Sequence, residues 1–98
     1  MYNMTGRPPP RIRAVPAVTR AIAVLRLLSR HRTPLGLKAI AEALDLVRST
    51  ALHILRALAT EQLVRVDAVS KQYSLGVGML PLARAVLENS DFPNLVRP

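Results

Sequence analysis

LKAIAEALDLVRSTALHILRALATEQL, residues 37–63, holds two short amphipathic segments separated by a break. In the first, Leu37, Ile40, Ala41 and Leu44 recur at the spacing that builds one helical face. In the second, Ala51, Ile54, Leu55 and Leu58 do the same. Asp45, Leu46 and Val47 lie between them, with Leu46 expected as a buried plug. The outer side of the second helix carries Arg48, Ser49, Thr50, His53 and Arg56, with Leu52 also among the outward candidates. Two helices joined by a tight turn, the second presenting Arg, Ser, Thr and His, make a candidate DNA reader. Ser49 and Thr50 fall at the start of that helix, where one hydroxyl is expected to cap a free N–H and the other to bond a phosphate. The helix at 37–44 is too short to stand alone and must live by packing.

Charge supports that reading. The 98 residues carry a net charge of +8. Residues 1–32 hold seven arginines and no acid, whereas residues 33–98 hold seven basic and six acidic side chains. A cationic surface of this kind suits a polyanion, because neutralising phosphates releases counterions. The length predicts one domain with a modest core. An apolar content of 50% argues against disorder throughout, and one Phe, two Tyr and no Trp leave the core to aliphatic side chains. So few aromatics also argue against a base-stacking platform for single strands. The absence of cysteine excludes disulfides and thiolate metal sites. No apolar run reaches the roughly 18 residues of a membrane span, and no signal-like segment is present. A cytoplasmic protein that does not engage the membrane is expected.

Working outward, residues 1–16 read as a flexible basic arm, with Pro8, Pro9 and Pro10 between Arg7 and Arg11. A helix is expected from Ala17 or Val18 to Arg30, with Pro16 just ahead of it. Its apolar stripe of Val18, Ala21, Ile22, Val24, Leu25, Leu27 and Leu28 is wider than one core contact needs. One edge can pack on the helix pair and the other can meet a second subunit. Arg20, Arg26 and Arg30 mark its wet side, and His31 caps its end. Leu35 is expected as a very short strand and Gly36 as the cap of the next helix.

Beyond the helix pair, residues 63–67 and 71–75 alternate as two short strands around a turn at 68–70, a wing that places Arg65, Lys71 and Gln72 beside a phosphate backbone. Gly76 and Gly78 are expected to loosen the chain. A last helix runs from Met79 or Leu80 to Glu88 or Asn89, with Met79, Leu80, Ala83, Val86 and Leu87 on one face. Residues after Ser90 read as a linker.

Catalysis finds no support. None of Glu42, Asp45, Glu61, Asp67, Glu88 and Asp91 forms a closely spaced pair with a His, and GVG at 76–78 lacks the rest of a phosphate loop. His31 and His53 have no cluster of ligands around them, so neither a metal nor another cofactor is expected.

AVTRAIAVLRLLS at 17–29, LKAIAEALDLVRSTALHILRAL at 37–58, LVRVD at 63–67 and YSLG at 73–76, in this order and spacing, resemble the amino-terminal winged helix-turn-helix domain of the IclR family of bacterial transcription regulators. The resemblance covers roughly Pro16 to Pro98. It implies a mainly α fold with a small β-hairpin, and a recognition helix at 48–62 in the major groove, with Arg48, Ser49, Thr50 and His53 at contact positions. It implies a homodimer through helix 18–30, helped by a linker helix at 79–89. It also implies a larger effector-binding domain for a small molecule after the linker, so a fragment of a longer regulator is expected rather than a short natural protein.

Two departures from the family pattern stand out. Glu61 and Gln62 replace an apolar residue and a helix-ending glycine, so a longer or looser helix end is expected there. The wing lacks its usual glycine turn, and its loop is about one residue longer.

The sequence therefore reads as a winged helix-turn-helix domain at 17–76 followed by a linker at 77–98. Double-stranded DNA is the expected partner, contacted by Arg48, Ser49, Thr50, Leu52, His53, Arg56, Arg65, Lys71, Gln72 and Arg20. Ile22, Leu25, Met79, Ala83 and Val86 are the expected dimer contacts. A protein-interaction module without specific DNA binding is the alternative.

Overall fold

A computed structural model describes residues 15–89. The expected basic arm before Val15 and the linker after Asn89 lie outside the described residues. Four helices and one hairpin follow in the order α1 (Pro16–Arg30), α2 (Leu37–Ala43), α3 (Arg48–Thr60), β1 (Val64–Val66), β2 (Tyr73–Leu75) and α4 (Met79–Glu88). This mostly helical chain with a small antiparallel hairpin is a winged helix-turn-helix.

Helix α1 begins at Pro16 itself, one residue before the expected start, because proline's fixed φ and missing N–H suit the first helical position. Its stripe divides as its width suggests. Val24, Leu27 and Leu28 are buried, Ala21 and Leu25 pack against the core, and Val18 and Ile22 stay exposed. His31 closes the helix: its backbone N–H donates to Leu28 O, and its ring Nδ1–H donates to Leu27 O at 3.0 Å.

Helix α2 is seven residues long and owes its existence to Ile40 and Ala41, both buried. Gly36 is its N-cap. Leu44 is the C-cap rather than the last helical residue, and Asp45 follows with φ 55°. Leu46 N–H then reaches back to Ala41 O at 2.8 Å, and Asp45 N–H to Glu42 O at 3.3 Å. This pair of bonds is a Schellman closure, which satisfies carbonyls that a helix end would leave open. It turns the chain sharply into α3. Leu46 is only half-buried and is not among the side chains packed on the core, so it is not the buried plug expected.

Helix α3 repeats the device. It ends at Thr60, two residues short of the expected 62, with Glu61 as C-cap. Gln62 adopts φ 62°; its N–H donates to Ala59 O at 3.0 Å, and Leu63 N–H donates to Leu58 O at 2.9 Å. The missing glycine therefore does not lengthen or loosen the helix. Gln62 makes the same left-handed turn, at the cost a side chain incurs there, about 1–2 kcal/mol. At the other end Val47 is the N-cap and has no side chain to offer the free N–H groups. Neither Ser49 nor Thr50 takes the cap position, because the helix begins one residue before them.

The core collects Val24, Leu27 and Leu28 from α1, Ile40 from α2, Leu55 and Leu58 from α3, and Val64 and Tyr73 from the hairpin. The hairpin pairs Val64 with Leu75, Arg65 with Ser74 and Val66 with Tyr73. Leu35 bonds the free edge of Tyr73, with N–H···O distances of 2.9 and 2.7 Å. This third strand segment and the helices beneath give the hairpin the support that an isolated one lacks. The strands are shorter than expected. Lys71 and Gln72 belong to the 67–72 loop, because Lys71 turns to φ 62° and cannot continue a strand.

Gly76 and Gly78 tighten the chain instead of loosening it. Gly76 N–H donates to Leu63 O at 2.9 Å and Gly78 N–H to Gln62 O at 2.8 Å. A Cβ on Gly76 would overlap the Gln62 carbonyl oxygen, and one on Gly78 would lie 2.7 Å from the same atom. Helix α4 leaves from this junction with Pro81 in its first turn, and none of its residues is buried in the single chain.

Two substitutions test this junction. Gly76→Ala is expected to lower the urea midpoint by an amount equivalent to about 1–3 kcal/mol, the usual penalty of overpacking. Gln62→Gly, which removes the left-handed strain, is expected to raise it by about 0.5–1 kcal/mol. Equal midpoints for all three proteins would contradict the close backbone approach.

Candidate nucleic-acid interface

The buried side of α3 is set by Ala51, Leu55 and Leu58, with Ile54 partly covered beside them. One hundred degrees per residue then sends Ser49, His53, Arg56, Ala57 and Thr60 to the opposite side, and all five are exposed. Arg48 is exposed at the first helical position. Thr50 and Leu52 are half-buried at the two borders of that face. They are less available than Ser49 or His53. Thr60 is turned inward on its own helix by a hydroxyl bond to Arg56 O at 2.9 Å.

The wing adds Arg65 on the strand face opposite the core, level with Ser74. Lys71 and Gln72 are exposed in the loop. Arg20 is exposed on α1, the helix that packs on both α3 and β2. Among the described residues none of these cations makes a direct ion pair with an acid, although Arg65 lies near enough to Asp67 to be felt by it. Among the described residues the one ion pair within 4.0 Å joins Arg84 and Glu88 on α4, at 3.7 Å. Arg20, Arg48, Arg56 and Lys71 thus keep their charge available for an external anion, and Arg65 does so beside the Asp67 carboxylate.

The wing loop is held in shape by Asp67. Its Oδ1 accepts the N–H of Val69 at 2.8 Å and of Ser70 at 3.0 Å. Lys71 N–H donates to Asp67 O, and Asp67 N–H to Gln72 O, both at 2.9 Å. The Ser70 N–H first and then the Val69 N–H hold the Asp67 carboxyl below its ordinary value of 3.8, against an opposing desolvation effect that outweighs the lesser help of the nearby Arg65 charge. With no glycine in the loop, a carboxylate and a left-handed lysine make the turn. Val69 projects from the tip, 91% exposed.

Two exposed residues beside the site were not singled out from the sequence. Ala57 lies one turn beyond His53 on the outer face, so the helical period alone points to it. Val47 precedes Arg48 and is 67% exposed. Its position in the break between helices gave no periodicity to read. No group of three His, Asp or Glu side chains that could hold a metal occurs among the described residues. No helix among them is long and apolar enough to cross a membrane.

An exposed basic and hydroxyl-bearing second helix, flanked by a basic hairpin, defines a DNA-binding winged helix-turn-helix. The sequence profile of the IclR helix-turn-helix domain matches residues 17–68. A glycerol operon regulatory protein of Streptomyces griseus is 40% identical over 76 residues, which is 78% of this chain and 30% of that protein. The crystal structure of an IclR transcriptional regulator from Alicyclobacillus acidocaldarius superposes with a TM-score of 0.76 at 40% identity, covering 81% of this chain and 32% of that one. An IclR family regulator from Brucella abortus gives 0.73 at 30% identity, over 88% and 33% of the two chains. The chain belongs to the IclR family, whose members are DNA-binding transcription regulators and not enzymes. It spans about a third of the length of these relatives.

The Asp67 clamp has a testable pH dependence. A carboxyl with a depressed folded pKa supports the closed turn above its ordinary value of 3.8. That support is lost as the pH falls through the lowered pKa. At neutral pH, Asp67→Ala should remove it outright: amide exchange at Val69 and Ser70 speeds up while the core of α1 and α3 keeps its protection. Unchanged exchange at both amides would show that the carboxylate does not hold the loop.

Proposed function

We propose that this chain binds double-stranded DNA at specific sequences, with α3 in the major groove and the wing on the adjacent phosphate backbone. The observation that carries this reading is the coincidence of two features. The amino end and outer face of α3 and the wing display Arg48, Arg56, Arg65 and Lys71 with no ion pair among the described residues, and the same surface offers Ser49, His53 and Gln72 for directional bonds. Arg and Lys on phosphates supply most of the affinity; a few α3 side chains on base edges supply the selectivity. Arg48 sits where the helix would meet the groove floor, Ser49 and His53 follow along the groove, and Thr50 and Leu52 line its borders. Arg65, Lys71, Gln72 and Arg20 bear on the flanking backbone.

The functional unit in this reading is a homodimer. Leu80, Leu82 and Leu87 on α4 are exposed, as is Ile22 on α1. Ile22 and Leu25 of α1, with Met79, Ala83 and Val86 of α4, form the pairing surface. Two copies then read half-sites related by two-fold symmetry. A small-molecule effector enters only where this DNA-binding part is joined to a sensor domain. Transcriptional control in the cytoplasm is the role that follows.

Binding to a duplex from the chain's own promoter should exceed binding to its scrambled counterpart by about a thousandfold or more at ~150 mM salt. The logarithm of its affinity should fall steeply with that of salt, by about 0.9 per phosphate contact. Arg48→Ala should cost about 1–3 kcal/mol of that affinity. Equal binding to both duplexes would overturn the specific reading, and an unchanged Arg48→Ala would overturn that residue's role. In sedimentation, the chain should run as a dimer and Ile22→Glu as a monomer; a monomeric parent chain would rule out the pairing surface.

A further inference from the structure

We infer that Val47 is a specificity-determining residue that reads the C5-methyl group of a thymine at the start of the recognition helix. The inference rests on the proposed entry of α3 into the major groove. Val47 occupies the N-cap of α3, with φ −70° and ψ 150°. Ser, Thr, Asp and Asn are preferred at this position because their side chains bond the free N–H groups of the first turn, and Val is among the poorest choices. The backbone does what the cap requires, since Val47 O accepts the N–H of Ala51 at 3.1 Å. The side chain contributes nothing to the helix.

Nor does it serve the core. Val47 is 67% exposed and is absent from the apolar side chains packed around the buried cluster. Leu46 beside it is also outside the core-packed set but is half-buried, and Asp45 makes the left-handed turn. An isopropyl group is thus held out at the helix end, directly before the exposed Arg48 and Ser49. The residues at the amino end of a recognition helix are those that reach base edges. In the major groove, the apolar feature that a base pair presents is the thymine methyl. A side chain with no hydrogen-bonding atom cannot hold a phosphate, which leaves that methyl as its complement.

The test compares the parent chain with Val47→Ser. Duplexes are selected from a random-sequence pool with the parent chain, and each thymine of the enriched duplex is replaced in turn by deoxyuridine, which lacks only the methyl. At one position of the half-site the replacement should weaken the parent chain about three- to tenfold, the scale of one lost methyl contact. Val47→Ser should bind the thymine and deoxyuridine duplexes equally, while melting at the same or a higher temperature because its cap is better. Indifference of the parent chain to every replacement would overturn the inference. So would a Val47→Ser protein that still prefers thymine at that position. A pool that yields no enriched duplex would overturn the DNA-binding reading, and this one with it; enrichment without methyl sensitivity would overturn this one alone.

Discussion

The carbonyl of Gln62 is the point on which the three parts of the fold meet. Gln62 closes α3 by turning left-handed at φ 62°, which sends Leu63 back to bond Leu58. Its carbonyl then accepts the N–H of Gly78, one residue before α4, while Gly76 bonds the neighbouring Leu63 carbonyl. The end of α3, the last strand of the wing and the start of α4 are therefore tied within a few residues. Two glycines make the approach possible, because a Cβ at either would collide with this backbone. A displacement of the wing or of α4 relative to α3 has to break these bonds.

That tie gives the exposed side chains a fixed geometry. Arg48, Ser49, His53 and Arg56 ride on a helix whose opposite face is sealed by Ala51, Leu55 and Leu58. Arg65 rides on a strand whose neighbours Val64 and Val66 face the other way. The Asp67 clamp fixes the loop that carries Lys71 and Gln72. The side chains on α3 and β1 are thus presented by elements that bury apolar surface elsewhere, and those in the wing loop by a turn that hydrogen bonds hold. Preorganisation of this kind reduces the ordering cost of binding.

Much of this was legible in the sequence. The spacing of Ile40, Ala41, Ala51, Leu55 and Leu58 places the helix pair, and the width of the α1 stripe anticipates its division into a buried and an exposed edge. The alternation around Tyr73 places the wing. What escaped has a common cause: tertiary contacts override local preference. Glutamine and lysine rarely take positive φ, so the turns at Gln62 and Lys71 left no local mark. The glycines at 76 and 78 read as loose backbone because the close approach of Gln62 comes from a distant part of the chain. Ser49 and Thr50 read as caps because hydroxyls favour that position, yet the helix begins at Arg48 and leaves Val47 at the cap.

The central claim is that one contiguous surface, the amino end and outer face of α3 together with the wing, receives the DNA duplex. Amide chemical shifts recorded during titration with a duplex from the promoter test it most directly. The expected shifts concentrate at residues 47–57 and 65–72 and leave Leu82 to Glu88 of α4 in place. Shifts concentrated on α4 or on the exposed edge of α1, with α3 and the wing unmoved, would contradict it.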